Sequence, residues 1–131
     1  MDGNLILNII LALVLLGIIG YEAYGYFTRK RAAVELTEEE FKKDMRKVQV
    51  IDVREKAEFD ASHILGARNI PYSTFKTRYT EIRKDIPVYL YDQKKAMSGR
   101  AAVRLKKAGY TEIYRLKGGF QGWTGKIKKR A

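Results

Sequence analysis

The chain of 131 residues contains no cysteine and only one histidine, His63. Without cysteine it cannot form a disulfide bond, a thiolate metal site, a persulfide or a cysteine nucleophile. A single histidine also argues against a zinc site or a catalytic cluster that depends on histidine. We therefore expect no metal ion and no cofactor, and much enzyme chemistry is excluded.

Acidic residues are few in comparison with basic ones. The sequence has 15 Asp and Glu against 26 Lys and Arg, which gives a formal net charge of +11. This balance favours anionic partners, either nucleic acid or an anionic lipid surface. No base-stacking or recognition-helix motif is visible. The lipid bilayer is thus the expected partner, and nucleic acid is not.

One long apolar run stands at the N-terminus. Residues 3–21 carry no charge, and residues 5–19 are almost entirely Leu, Ile, Val and Ala. A helix of roughly 20 such residues spans the hydrocarbon core of a bilayer. An aromatic cluster at residues 21–27 follows, and then come Arg29, Lys30 and Arg31, in the order of a membrane exit. The alternative is a helix buried in a protein core.

The residues that flank this run predict whether it is cleaved and how it is oriented in the membrane. The N-terminus lacks the basic start and the cleavage motif of a signal peptide, so we expect the segment to be retained. The positive-inside tendency places the N-terminus outside and the domain in the cytoplasm, at the face of the cell membrane, which the chain crosses once. The predicted parts are an anchor with its basic flank (1–31), a domain (32–125) and a basic tail (126–131).

The domain alternates helical and strand patterns. Thr37 and Glu40 have the spacing of a capping box, which predicts a helix up to about Arg46. The further predicted elements are a strand at 48–53, a short helix at 55–60, a short strand at 67–70, a helix from Ser73 or Thr74, a strand at 88–91, a helix at 98–108 and a strand at 113–116, with a turn at Gly118 and Gly119. Such alternation implies a mostly parallel sheet with helices on both faces.

The loop after the 88–91 strand is the predicted site, because ligands of such sheets bind beyond the carboxyl ends of the strands. Backbone N–H groups and the dipole of the following helix favour an anion there. The loop consists of Asp92, Gln93, Lys94, Lys95, Ala96, Met97 and Ser98.

Three segments together resemble the rhodanese family of sulfurtransferase-like domains. They are IDVREKAEFDASHILGARNIPY (51–72), VYLYDQKKAMSGRAAVRLKKAGY (88–110) and EIYRLKGGFQGW (112–123), and they cover nearly the whole domain. The resemblance implies a loop that reads roughly Cys-x-x-Gly-x-Arg-Ser in active members, whose cysteine carries sulfur as a persulfide. Here Asp92 stands at the cysteine, Lys95 at the glycine and Met97 at the arginine, and only Ser98 agrees.

A carboxylate cannot form a persulfide, so the chain alone is excluded from sulfur transfer. The Asp92 carboxylate is expected in or beside the loop amides, where it takes the place of an anion. An aspartyl nucleophile is the alternative, but the loop has no second acid and no magnesium motif. We expect Ser98 to be a helix cap. Lys94 and Lys95 either recruit an anion or are simply solvated.

The resemblance also assigns a structural motif of Asp52, Arg54, Glu58 and His63, in which charged groups satisfy one another and nearby backbone. Arg29 to Arg31 and the basic tail are expected at anionic headgroups. We predict a membrane-tethered, catalytically inactive rhodanese-like domain that binds a protein partner or a small anion. The alternative is an enzyme of another class on the same fold, either phosphatase-like or a sulfur carrier assisted by a partner.

Overall fold

A computed structural model describes residues 2–94 and 96–130 of the chain. The helices are α1 (Gly3–Ala32), α2 (Glu38–Asp44), α3 (Lys56–Ala61), α4 (Tyr72–Arg78) and α5 (Ala96–Lys107), with single 3-10 turns at Met45–Lys47, Tyr79–Glu81 and Phe120–Gly122. The strands are β1 (Val34–Leu36), β2 (Gln49–Asp52), β3 (Ser62–Ile64), β4 (Arg68–Asn69), β5 (Val88–Tyr91), β6 (Ile113–Leu116) and β7 (Ile127–Lys129).

Five strands form one parallel sheet in the order β1-β6-β5-β2-β4. The central strand β5 is buried along its whole length, as its run of aromatic and aliphatic residues predicts. Side chains alternate across the sheet, so that Val88 and Leu90 face one apolar cluster while Tyr89 and Tyr91 face the other. The expected α/β architecture, a parallel sheet between two layers, is confirmed.

Each face of the sheet has its own helical cover. On one face α4, α5 and the last turn of α1 pack over β2, β5 and β6, with Phe75 and Leu105 fully buried. On the other face α2 contributes Phe41, which packs against Tyr89 and Trp123. The two covers fix the sheet, and the loop after β5 emerges between them.

Several local predictions agree closely with the structure. The capping box is present, because Thr37 Oγ1 accepts from the Glu40 N–H while the Glu40 side chain accepts from the Thr37 N–H. Strands β5 and β6 have the predicted bounds, and Gly118 and Gly119 both adopt a positive φ in the predicted turn. Helix α4 begins at Tyr72, directly after Pro71, rather than at Ser73 or Thr74.

Three strands differ from the sequence expectation. Strand β1 forms the edge of the sheet beside β6, and β3 and β7 form a separate antiparallel pair. Residues 126–131, expected as a basic tail, therefore contain a strand that pairs Lys128 with His63. Every residue of β7 is exposed, so its sequence carries no apolar alternation that would have revealed a strand.

Helix α1 has 30 residues and a most apolar window of mean hydropathy 2.4. Its length and composition are sufficient to cross a membrane, and no part of that window is buried in the protein. The alternative of a buried core helix is therefore wrong. The helix continues without interruption to Ala32, and its last turns pack on α5, where Lys106 Nζ donates to the Arg31 carbonyl oxygen over 3.1 Å.

Candidate functional site

The candidate site lies where two neighbouring parallel strands end. Asp52 is the last residue of β2, Asp92 directly follows β5, and the register pairs Asp52 with Tyr91. Both aspartates are buried, with exposures of 0% and 4%. The carboxyl ends of two neighbouring strands therefore each carry a buried aspartate, at the edge of the sheet where the predicted loop lies.

The Asp92 carboxylate caps the start of α5. Its Oδ2 accepts hydrogen bonds from the backbone N–H of Met97 at 2.6 Å and of Ser98 at 3.1 Å. These are first-turn amides of a helix that begins at Ala96, two residues before the predicted start. Such amides have no intrahelical acceptor and are a common anion-binding position. Asp92 therefore accepts from the start of this helix, and Ser98, expected as its cap, lies within its first turn.

Hydrogen bonds and a nearby cation offset only part of the electrostatic cost of burying the Asp92 carboxylate. Burial raises the pKa of the Asp92 carboxyl, and the hydrogen bonds from Ser98 and Met97 and the charge of Arg115 oppose that rise without cancelling it. No donor within residues 2–94 and 96–130 hydrogen-bonds to Oδ1 of Asp92. A carboxylate held in this way occupies the amides of the helix start as a built-in anion.

Arg115 is the buried cation on the neighbouring strand β6. It is 5% exposed, and its Nη2 donates to Glu35 Oε1 over 2.8 Å. A methyl group at Gly99 would collide with Nη1 of Arg115, so the guanidinium lies directly beneath the first turns of α5. Arg115 thus places positive charge under the end of α5 that Asp92 caps.

The backbone of the loop is held by the turn that follows β6. Phe120 N–H donates to the Asp92 carbonyl oxygen over 2.8 Å, and Gln121 N–H donates to the Gln93 carbonyl oxygen over 3.0 Å. Two successive carbonyl groups of the loop therefore point towards this turn. The turn sets the course of the loop between β5 and α5.

Gly119 makes this close approach feasible. Its φ of +61° is a conformation that other residues rarely adopt, and an added Cβ would lie 2.6 Å from the Gln93 carbonyl oxygen and 2.7 Å from that of Asp92. The Lys94 carbonyl oxygen would be closer still. The glycine is therefore required by the packing of the loop as well as by the turn.

Asp52 and Arg54 form a compact buried ion pair beside this loop. Arg54 Nη2 donates to Asp52 Oδ2 over 2.8 Å, and Nε and the backbone N–H of Arg54 bond to the same carboxylate. Burial lowers the pKa of Arg54, but the hydrogen bonds and the charge of Asp52 outweigh it and raise the pKa. The pair satisfies itself, as expected of a structural motif.

Arg54 also connects this pair to the loop. Its guanidinium carbon lies 4.1 Å from the ring centre of Phe120, its Nη2 donates to the Ser62 carbonyl oxygen over 2.6 Å, and its Nη1 reaches Gln93 Oε1 at 3.4 Å. Beneath it, Tyr91 accepts a hydrogen bond from the Ile64 N–H, and burial raises the pKa of the Tyr91 phenol. The motif of segment 51–72 therefore supports the loop of segment 88–110.

The other predicted residues divide between the loop and more distant positions. Gln93, Lys94, Ala96 and Met97 are exposed on the outside of the loop, whereas Lys95 lies outside the described residues. His63 Nδ1 is 2.8 Å from the Phe59 carbonyl oxygen and its ring stacks on Phe59 at 3.7 Å, away from the loop. Glu58 is exposed, and its carbonyl oxygen accepts from the Ser62 N–H.

The three basic residues at the end of α1 also differ from one another. Lys30 and Arg31 are exposed, and Lys30 Nζ lies 5.7 Å from the ring centre of Tyr26. Arg29 is half-buried because its Cδ approaches Gly99 of α5. The predicted headgroup cluster is therefore partly a packing contact between α1 and the domain.

The sequence interpretation did not identify Arg115, Gly119 or Phe120 as parts of the site. Arg115 carried a signal, since a lone charge inside the strand IYRL must find a buried partner. The sequence predicts only a turn at Gly119, because the loop that packs on this residue is distant in sequence. Nothing local distinguishes Phe120 from an ordinary core aromatic.

The arrangement has clear chemical limits. The Asp92 carboxylate is buried and bound by two amides, so it is poorly placed to attack a substrate. Within the described residues, no group of three or more His, Cys, Asp or Glu side chains is arranged to hold a metal ion. Among the described residues of the loop, the exposed ones are Gln93, Lys94, Ala96 and Met97.

Comparisons with known proteins agree with this architecture. The chain is 54% identical over 123 residues to the "Uncharacterized protein YqhL" of Bacillus subtilis (strain 168), a match that covers 94% of this chain and 98% of that protein. It is 32% identical over 76 residues to the "Thiosulfate sulfurtransferase GlpE" of Tolumonas auensis, covering 58% of this chain and 72% of that enzyme. Some other relatives are longer, and the chain spans 52% of one and 22% of another.

Solved structures show the same fold. The crystal structure of a rhodanese-like domain protein from Staphylococcus aureus matches with a TM-score of 0.67 and 22% identity, over 75% of this chain and 99% of that one. The family model described as "Rhodanese-like domain" matches residues 37–126. The chain therefore belongs to the rhodanese-like domain family.

Proposed function

We propose that this chain is a membrane-tethered rhodanese-like domain that has no sulfurtransferase activity and acts as a binding module at the cytoplasmic face. One observation carries the proposal: the Asp92 carboxylate occupies the first-turn amides of α5 at the position where active relatives hold their cysteine. The scaffold around it is retained, because Arg54, Phe120 and Gly119 still hold the loop in place.

The loss of sulfur transfer follows from the chemistry of the loop. A carboxylate does not accept sulfane sulfur, and the sequence offers no thiol elsewhere that could substitute for it. The amides that would stabilise an anionic sulfur group are already bonded to Oδ2 of Asp92. Met97 also brings an apolar side chain to the position of the family's arginine, and 38% of it is exposed.

A sulfur-transfer assay from thiosulfate to cyanide tests the inactivity. We expect no thiocyanate above the uncatalysed rate from the unmodified chain, with the GlpE sulfurtransferase as the positive control. The variant Asp92→Cys supplies the missing thiol at the same place. Its reaction with a thiol reagent would report whether the position is accessible. Turnover by the unmodified chain would contradict the proposal.

The membrane part of the proposal is supported by α1 and its flank. The helix exposes its apolar side chains, and Arg29, Lys30 and Arg31 follow at its C-terminal end. Basic residues favour the cytoplasmic side, so the domain that follows them is assigned there. Resistance to alkaline carbonate extraction tests insertion. Protection of the domain from protease added to intact spheroplasts, and its loss after lysis, tests the side.

The binding role is supported by the exposed surface of the loop. Crosslinking in intact membranes tests this role with Lys94→Ala/Met97→Ala, a variant that removes two exposed side chains without touching Asp92. The matched control is Lys43→Ala/Arg46→Ala, which removes exposed side chains of comparable size from the opposite face of the sheet. We expect crosslinked species to be lost only in the loop variant. Equal loss in both variants, or in neither, would contradict binding through the loop.

A further inference from the structure

A cleft of about 740 Å³ separates the end of α1 from the domain. It is bounded by α1 from Tyr21 to Arg29, by α5 from Arg100 to Ala108, and by Tyr72 and Tyr79 on the third side. We propose that this cleft binds the phosphate headgroup of an anionic phospholipid. The inference rests on the proposed insertion of α1 into a membrane, but it concerns a site separate from the loop after β5.

The cleft carries more positive than negative charge, since four basic side chains line it together with the acidic Glu22 of α1. Arg100, Arg104 and Lys107 are four and three residues apart, so they share the face of α5 that lines the cleft. Arg29 adds a fourth cation from α1. None of these four cations forms an ion pair with any residue in 2–94 or 96–130. Their chemistry matches a phosphate group.

The walls of the cleft are aromatic. Tyr21 and Tyr24 are 77% and 73% exposed, and Tyr72 and Tyr79 are half-buried on the opposite side. Tyrosine combines an apolar ring with a polar hydroxyl, which suits it to the boundary between acyl chains and headgroups. Cations and tyrosines together therefore fit a lipid better than a freely soluble anion.

The position of the cleft along α1 agrees with headgroup depth. From Gly3 to Tyr21 the helix rises about 27 Å, close to the roughly 30 Å of a hydrocarbon core. The segment from Tyr21 to Arg29 covers about the next 12 Å, which is the headgroup layer and its margin. This depth is fixed by the domain, since Arg29 packs on Gly99 and Lys106 bonds to the Arg31 carbonyl oxygen.

Photolabelling of the full chain in vesicles tests the inference. The vesicles are phosphatidylcholine with a trace of either photoactivatable phosphatidylglycerol or photoactivatable phosphatidylcholine. The cleft variant is Arg100→Gln/Arg104→Gln/Lys107→Gln. The control variant, Lys43→Gln/Arg46→Gln/Lys47→Gln, removes the same charge from exposed positions on the opposite face of the sheet. Thermal unfolding monitored by circular dichroism verifies that both variants fold.

We expect labelling by the phosphatidylglycerol probe to fall at least about tenfold in the cleft variant and to be unchanged in the control, because each cation near an anionic lipid surface contributes substantially to binding. Equal labelling of the two variants, or equal labelling by both lipids, would overturn the inference. Full competition by millimolar inorganic phosphate would assign the cleft to a soluble anion and overturn it too. Extraction of the chain by carbonate would refute membrane insertion itself, whereas the other failures leave the proposed tether intact.

Discussion

The two buried aspartates at the carboxyl ends of the sheet are in opposite situations. Asp52 is paired with the Arg54 guanidinium at 2.8 Å and with the Arg54 backbone N–H, so its negative charge is neutralised where it is buried. Asp92 has two backbone amides, and no described residue hydrogen-bonds to its second oxygen. Burial accordingly raises the pKa of Asp92.

This difference separates the architecture of the family from its chemistry. The Asp52–Arg54 pair holds the phenyl ring of Phe120 and the side chain of Gln93, and so supports the loop whether or not the loop is catalytic. Asp92 stands where the resemblance places the cysteine of active members, and it binds the start of α5 although its buried charge is only partly compensated. Substitutions of Arg54 and of Asp92 measure how far support of the loop is independent of the group that binds the start of α5.

Removal of Arg54 has the largest expected effect. The substitution Arg54→Ala leaves the fully buried Asp52 carboxylate without its cation, and breaking a buried pair in this way costs about 3–5 kcal/mol. Urea unfolding of the detergent-solubilised chain measures the change. A loss below about 1 kcal/mol would mean that Asp52 is hydrated or protonated without cost.

The matched control is Arg83→Ala. Arg83 pairs with Asp85 at 2.6 Å, but both side chains are about two-thirds exposed. Exposed pairs contribute about 0–1 kcal/mol, so this variant should unfold at nearly the original urea concentration. A comparable loss of unfolding free energy in both variants would indicate that Arg54 stabilises the protein through its positive charge alone and not through its buried pair with Asp52.

Removal of the Asp92 side chain has a smaller expected effect. Asp92→Ala leaves the N–H groups of Met97 and Ser98 without their acceptor, and loss of such a cap costs about 0.5–2 kcal/mol. The relief of a buried charge offsets part of that cost. Urea unfolding measures the net loss of stability. Faster amide hydrogen exchange at Met97 and Ser98 would show that the loss arises at the start of α5. A loss as large as that of Arg54→Ala would erase the contrast between the two aspartates.

The sequence predicts the central fold well because that fold depends on local patterns. The β-branched and aromatic runs of β2, β5 and β6, and the capping box at Thr37, are signals that a few neighbouring residues carry. The pair of β3 with β7 depends instead on contact between short polar segments more than sixty residues apart. No local periodicity encodes such a contact, and the basic segment 126–131 therefore resembled a tail.

In the site, too, some features are predictable from the sequence and others are not. The positions of Asp52, Arg54 and Asp92 at the strand ends follow from the motif and the parallel topology. The contacts that hold the loop do not, because Gly119 and Phe120 are distant in sequence from Asp92 and Gln93 and contact them through the pairing of β6 with β5. Arg29 is a further case, since a basic residue after an apolar helix gives no indication that it packs on Gly99.

The pH dependence of stability is the smallest expected effect, and it separates the charge of Asp92 from its capping role. Asp92→Asn keeps an oxygen that can accept from Met97 and Ser98, but its side chain does not titrate. Burial raises the pKa of Asp92 above its ordinary value of 3.8, so the folded protein binds this proton more tightly than the unfolded chain. The stabilising contribution of the proton is complete below pH 3.8 and is lost as the pH rises through the raised pKa.

The free energy of unfolding of the original chain, minus that of Asp92→Asn, should therefore fall between about pH 4 and neutrality. Urea titrations of both proteins across this range measure the difference, in which the other acidic groups cancel because both proteins contain them. A difference that rises with pH would mean that the folded state favours the ionised carboxylate, as a fully paired aspartate does. Asp92 would then resemble Asp52, and the loop would hold its anion without the electrostatic cost that now distinguishes the two.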